Sequence, residues 1–203
     1  RKCSRIFEGR RSHDGPRRCI NMKLLFRQRF ISWFDSYDIY DEYGNTVFVV
    51  KGQLSWGHCL KIYDARGVHV GTLKERVITI LPRFDMYAEG RKVGTIGKNL
   101  TLFRPRFSIN CKGWQVRGSI MEWNYQIINR RGKHIAKISK ELLHFTDTYA
   151  INIAEPQNAL YVLMMVIAID VEKCTREHRE EKARNKLHDL PFRSKQFWWC
   201  DGL

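Results

Sequence analysis

The chain has 203 residues, 43% of them hydrophobic, 12% aromatic and 28% charged, and that mixture describes a chain with a packed core rather than a disordered one. Its formal charge is +15, so anionic partners are favoured over cationic ones, although charge alone specifies no fold. Six cysteines form no CxxC pair and no close Cys/His grouping, which leaves neither a zinc site nor a disulfide scaffold in view, and a reducing, cytoplasmic setting is the simplest expectation.

In chain order, residues 1–21 are basic and contain no apolar stretch of signal-peptide length, so they are expected to be an N-terminal extension outside the folded domain. The alternative is a basic arm for an acidic partner. Strand-like alternation begins at Met22, with MKLLFRQRF. An internal repeat then organises the chain: IYDEYGNTVFVVK, IYDARGVHVGTLK, MYAEGRKVGTIGK and IINRRGKHIAKISK each run an alternating segment into a Gly-bearing turn and a second alternating segment up to Lys. The turn glycines Gly44, Gly67, Gly90, Gly113 and Gly132 are spaced by 23, 23, 23 and 19 residues. Gly permits the positive φ that tight hairpin turns demand, so each unit predicts a β-hairpin. The connections LPRF and RPRF repeat too, placing Pro82 and Pro105 at the same interval.

Five hairpins with two flanking strands, Lys23 to Phe30 and Thr148 to Ile153, make about twelve antiparallel strands. So many strands leave exposed edges unless the sheet closes, and a closed barrel is the leading expectation, with a sandwich as its rival. A cylinder of that size needs an occupant. Pro156 to Lys173 supplies one, because PQNALYVLMMVIAIDVEK opens with Pro and carries eleven apolar residues, about 16 Å of helix against the roughly 30 Å of a bilayer core. The helix over 156–173 is therefore expected inside the barrel, the domain over 22–174, and a charged C-terminal tail over 175–203.

The strings QLSWGHCLKIYDARGVHVGTLKE, WQVRGSIMEWNYQI, ISKELLHFTDTYAINI and EPQNALYVLMMVIAIDVEK together resemble the bacterial LURP-one-related proteins of the Tubby C-terminal-like superfamily. The resemblance implies a mainly β, twelve-stranded barrel threaded by a hydrophobic helix. Among its relatives, animal Tubby domains bind phosphoinositides, phospholipid scramblases share the fold, and plant members are linked to defence. No phosphoinositide-binding motif maps residue by residue onto this chain, so no site follows from the family.

Catalytic chemistry has little footing. Seven scattered histidines form no HxxxH or HExxH, and no Gly-x-Ser-x-Gly or phosphate-cradling loop occurs. His58 and Cys59 are adjacent on a predicted strand and so point to opposite faces. Asp35, Asp38, Asp41 and Glu42 alternate with aromatics as a solvated strand does. Neither enzyme activity, nor a cofactor, nor a metal is expected. Trp33, Trp56, Trp114 and Trp123 are expected in the core rather than on a nucleic-acid stacking platform.

The basic turn residues remain. In an up-and-down barrel all the hairpin turns lie at one end, so Arg66, Arg91, Lys92, Lys112, Arg130, Arg131 and Lys133 are expected on one rim, near the acids Asp41, Glu42, Asp64 and Glu89. Such a rim suits an anionic phospholipid or membrane surface, attached peripherally from the cytoplasm. The alternative is a regulatory protein that binds another protein or, less favoured, nucleic acid.

Overall fold

A computed structural model describes residues 21–27, 36–53, 55, 57–77, 83–99, 106–141 and 148–188. Trp33, Trp56, Pro82, Pro105 and residues 1–20 and 189–203 lie outside the described residues. Twelve strands are present: β1 Met22–Arg27, β2 Ser36–Asp41, β3 Thr46–Gln53, β4 Cys59–Asp64, β5 His69–Glu75, β6 Arg83–Ala88, β7 Arg91–Asn99, β8 Arg106–Asn110, β9 Gln115–Ser119, β10 Asn124–Ile128, β11 His134–Glu141 and β12 Thr148–Ile153. A 3₁₀ turn, Pro156–Asn158, leads into one helix, α1, Ala159–His188.

All pairings are antiparallel, and the sheet order is β8-β7-β6-β5-β4-β3-β2-β1-β12-β11-β10-β9. Chain neighbours are sheet neighbours except β8 and β9, and β12 joins β1 in a long-range pairing in which Met22 faces Ile153 and Arg27 faces Thr148. The predicted strand count therefore holds. All five repeat glycines adopt the left-handed conformation the turns need, with φ between 67° and 84°.

The Gly113 unit differs from the other four. Its strands β8 and β9 are the two ends of the sheet order and share no ladder, so the barrel is nearly closed, with one seam. The short connection between them folds back on itself, with Trp114 N–H donating to Cys111 O at 3.0 Å. The Trp114 side chain is buried there, edge-on to Tyr161 of α1 at 6.4 Å between ring centres. Beside it, a Cβ on Gly94 would lie 2.7 Å from both Asn110 O and Cys111 Cβ. Gly94→Val is accordingly expected to lower stability by about 1–3 kcal/mol, from overpacking a wall that cannot move aside. A denaturant midpoint equal to wild type would show that the seam is loose.

Interior positions alternate along each strand, as Leu60 and Ile62 on β4 or Tyr125 and Ile127 on β10, and all four are nearly or fully inaccessible. They enclose α1, of which Val162 to Val171 are buried without a break. A helix apolar on every face has no other stable place in water. It passes close to the wall at Gly71, where a Cβ would come 3.1 Å from Leu160 Cδ1.

Two details of the helix go beyond what its apolar pattern specifies. Asp170 and Glu172 do not end the buried run but lie within it, at 0% and 6% exposure. Asp170 sits where it helps push the Tyr125 hydroxyl well above its usual pKa, after burial itself. The helix also continues unbroken past Lys173 to His188, so the first part of the charged tail belongs to the same helix. Trp114 and Trp123 are in the core as expected, Trp123 being stacked 4.0 Å from Tyr149.

Candidate anion-binding rim

The topology puts the connections 41–45, 64–68, 88–91, 111–114, 129–133 and 154–158 at one end of the barrel. Around that rim they follow one another in the order given, because each hairpin is laced to the next. The helix enters here. Midway along, it is fixed at the opposite rim, where Lys173 Nζ donates to Met121 O at 2.9 Å in the β9–β10 turn.

The turns are built by Asx chemistry. Asp64 Oδ1 accepts the N–H groups of Arg66 and Val68, Asp41 Oδ1 those of Tyr43 and Asn45, and Asn129 Oδ1 those of Arg131 and Lys133. An acceptor at the first turn position and Gly at the fourth hold the loop open by hydrogen bonds to the backbone rather than by side-chain packing. Burial works against the Asp64 charge, but hydrogen bonds from Val68 and Arg66 outweigh it and hold the carboxyl below its usual range.

All seven predicted cations stand on these connections or at the strand ends beside them, in differing states. Arg66 turns back on Asp64, with Nη2 2.9 Å from Oδ2. Lys92 leans down the outer wall to Asp85 Oδ1, 2.8 Å away. Lys133 pairs with Glu155 at 2.5 Å, and that ammonium is the main reason the Glu155 carboxyl lies below its usual range. Lys112, itself at a positive φ of 51°, reaches across the barrel mouth. Its ammonium donates to Asn158 Oδ1 at 3.2 Å and lies 3.8 Å from the Tyr161 ring centre.

Arg91, Arg130 and Arg131 are different. All three are exposed, and among the described residues none has an ion pair. Arg91 lies opposite the buried Ala88 on the ladder, so it shares the sheet's inner face at the last rung of the mouth. Arg130 extends over the neighbouring connection, its Nε 2.7 Å from where a Cβ on Gly113 would be. Three uncompensated guanidinium groups thus occupy the arc 88–133. Several acids of the rim are spent on turns and ion pairs, Asp41 on Asn45, Asp64 on Arg66 and Glu155 on Lys133, while Glu42 and Glu89 stay exposed and offset part of the arginines' charge.

Sequence reasoning could gather the cations but could not see which are neutralised. One signal was available, the Asp-x-Arg spacing of Asp64 and Arg66 inside a turn. The pairing of Lys92 with Asp85, and of Lys133 with Glu155, depends on ladder register and on where the helix enters.

Asp85 anchors the outer wall, accepting from Arg76 Nε and Thr95 Oγ1, each at 2.9 Å, besides Lys92. Burial opposes its charge, yet these partners hold its carboxyl below the usual carboxylate range. A depressed carboxylate stabilises the fold above the unfolded pKa and loses that effect as pH falls below it. Asp85→Asn should therefore cost about 1 kcal/mol at pH 7 and progressively less below about pH 4. Paired thermal melts from pH 7 to pH 3 would check this; a gap independent of pH would contradict it.

No thiol–imidazole site forms. His58 Nδ1 faces Glu75 Oε2 at 2.5 Å, on the opposite rim, while Cys59 enters the ladder across from Lys74. Among the described residues no group of three or more His, Cys, Asp or Glu could hold a metal ion, and no helix is long and apolar enough to cross a membrane. Asp38 accepts from Tyr40 at 3.3 Å, while Asp35 lies outside the described residues.

The LURP-one-related family pattern matches residues 22–170, nearly the whole barrel and most of its buried helix. The chain belongs to the LURP-one-related family. That family lies within the Tubby-like superfamily, as the sequence resemblance implied. The chain is 25% identical over 151 residues to the uncharacterised protein YxjI of Bacillus subtilis strain 168, covering 74% of this chain and 93% of that one. An Arabidopsis thaliana protein of known X-ray structure is similar in fold, with a TM-score of 0.53, 17% identity, and coverage of 74% of this chain and 91% of that chain. The match supports the twelve-stranded, nearly closed barrel with one C-terminal helix.

Proposed function

We propose that this LURP-one-related barrel is a non-catalytic binding module that attaches to anionic phospholipid surfaces through its turn-bearing rim, peripherally and from the cytoplasm. The observation that carries this reading is the arc of Arg91, Arg130 and Arg131, exposed and without ion pairs among the described residues. Each cation near an anionic leaflet contributes about 1 kcal/mol, so three supply roughly 3 kcal/mol of attraction. That attraction decays over a Debye length of about 8 Å at physiological salt, so attachment through these groups is weak and salt-sensitive.

The helix adds in the same direction. Its first turn opens at this rim, and the positive end of its dipole faces outward beside the cations. The Arg66–Asp64 and Lys133–Glu155 pairs set the rim's shape more than its field, while the exposed Glu42 and Glu89 subtract from the charge of the three arginines. Sedimentation with vesicles separates the readings. Binding to vesicles containing anionic lipid, absent with neutral vesicles and weakened by salt, is the expected result. Equal binding to neutral vesicles, or none to either, overturns the proposal, and in the second case a protein or nucleic-acid partner takes its place.

A further inference from the structure

Three arginines alone give a marginal membrane affinity, and durable attachment of a peripheral protein needs a second, apolar contribution. Among the residues whose exposure the structure describes, Tyr43, Val68 and Val77 are the large hydrophobics left exposed. Singly scattered apolar residues on a surface are ordinary. These are not scattered at random: Tyr43, 81% exposed, and Val68, 52% exposed, occupy the tips of the 41–45 and 64–68 turns, neighbours on the cationic rim. Val77 stands at the other end of the barrel, next to Gly57.

The two tips belong to hairpins joined through the β3–β4 ladder, two strand spacings apart, or roughly 10 Å. Neither side chain holds up its own turn. The turns are fixed by the backbone N–H groups of Tyr43 and Val68, which donate to Asp41 Oδ1 and Asp64 Oδ1, each at 2.9 Å. Local folding thus leaves both side chains unused. A phenol with an apolar ring and a polar tip is suited to the headgroup level of a bilayer, and valine to the depth just below it.

We propose that Tyr43 and Val68 are the inserting residues of a membrane-docking face, entering the interface of an anionic bilayer while Arg91, Arg130 and Arg131 engage its phosphates. This rests on the reading of the rim as a lipid-binding surface and adds to it a depth and an orientation. The barrel stands on its turn-bearing end, with the start of α1 towards the membrane and the helix running away from it. The apolar tips lie on one side of the mouth and the unpaired arginines towards the other, so a flat lipid surface can meet both together, whereas a narrow polyanion meets only the arginines.

The test uses the full chain, vesicles of phosphatidylcholine alone or mixed with phosphatidylserine, and the double variant Tyr43→Ser, Val68→Ser. Because the turn hydrogen bonds come from the backbone, the variant should melt at the wild-type temperature. Its affinity for mixed vesicles should fall roughly tenfold, and the binding that remains should be abolished by salt, whereas wild type retains a salt-resistant part. A heparin column, which offers charge without an apolar phase, should retain both proteins equally. If wild type binds mixed vesicles and the double variant binds them as well, with the same salt dependence, insertion is refuted while the cationic rim stands. If wild type ignores mixed vesicles, both readings fall.

Discussion

Ile167→Asp is expected to abolish cooperative folding. Ile167 is fully inaccessible in the middle of the enclosed run from Val162 to Val171, so its replacement places a carboxylate where no water reaches. The effective penalty for burying an unpaired ion is several kcal/mol even after relaxation, against a typical domain stability of about 5–15 kcal/mol. The damage also spreads, because α1 is the common packing surface of the barrel wall, and a wall without its occupant encloses a cavity. Ile167→Val, which keeps the chemistry and trims one methylene, should cost only about 0.5–1.5 kcal/mol. Far-ultraviolet circular dichroism with thermal melts distinguishes the two. A sharp wild-type-like transition in Ile167→Asp would mean that the helix is not enclosed as described. Asp170 is no precedent for tolerance at 167, since it lies one turn nearer the exit, beside the polar end of Tyr125.

Neutralising Arg91, Arg130 and Arg131 together to Gln is expected to weaken binding to anionic vesicles about 100-fold, from roughly 1 kcal/mol per charge near the membrane. The salt dependence of what remains should flatten. Arg66→Gln is the informative control: its guanidinium already satisfies the nearly buried Asp64, so removing it should change vesicle binding far less. An equal loss per charge, Arg66→Gln costing a third of the binding free energy that the triple variant loses, would show that net charge alone, rather than this arc, drives attachment. Stability should hardly respond to the triple substitution, because exposed charges contribute little to folding.

The outline of the fold was legible because it is written in local terms. Glycine at a near-constant interval marks the turns through backbone conformation, and alternation of apolar residues marks strands through the two-residue period of the pleat; both depend on neighbours in the chain. The enclosed helix was legible for a related reason, since PQNALYVLMMVIAIDVEK is too apolar to lie on a surface and too short to span a bilayer. Its limits were less so. Asp170 and Glu172 look like the end of a buried segment, yet both lie inside the barrel, with Asp170 near enough to Tyr125 of β10 for its charge to raise that phenol's pKa further.

The candidate site was legible only as a collection. Sequence placed seven cations at one end of the barrel, because in an up-and-down order every second turn, the glycine-bearing ones here, falls at the same end. It could not rank them, since Asp85 reaches Lys92 through the β6–β7 register and Glu155 reaches Lys133 only because β12 delivers the helix entry beside the β10–β11 turn. The seam was hidden likewise. Gly113 carries the same turn signal as its four counterparts, but β8 and β9 are the strands left over once every other edge has been paired.

By itself, then, the sequence determined the number of strands, the place and handedness of their turns, and the need for a buried helix, all consequences of short-range backbone preference and of apolar burial. Tertiary structure decided which arginines stay uncompensated, where the barrel fails to zip, and which apolar tips are left in solvent. Those depend on distances between residues far apart in the chain, and such distances exist only once the sheet has closed around its helix.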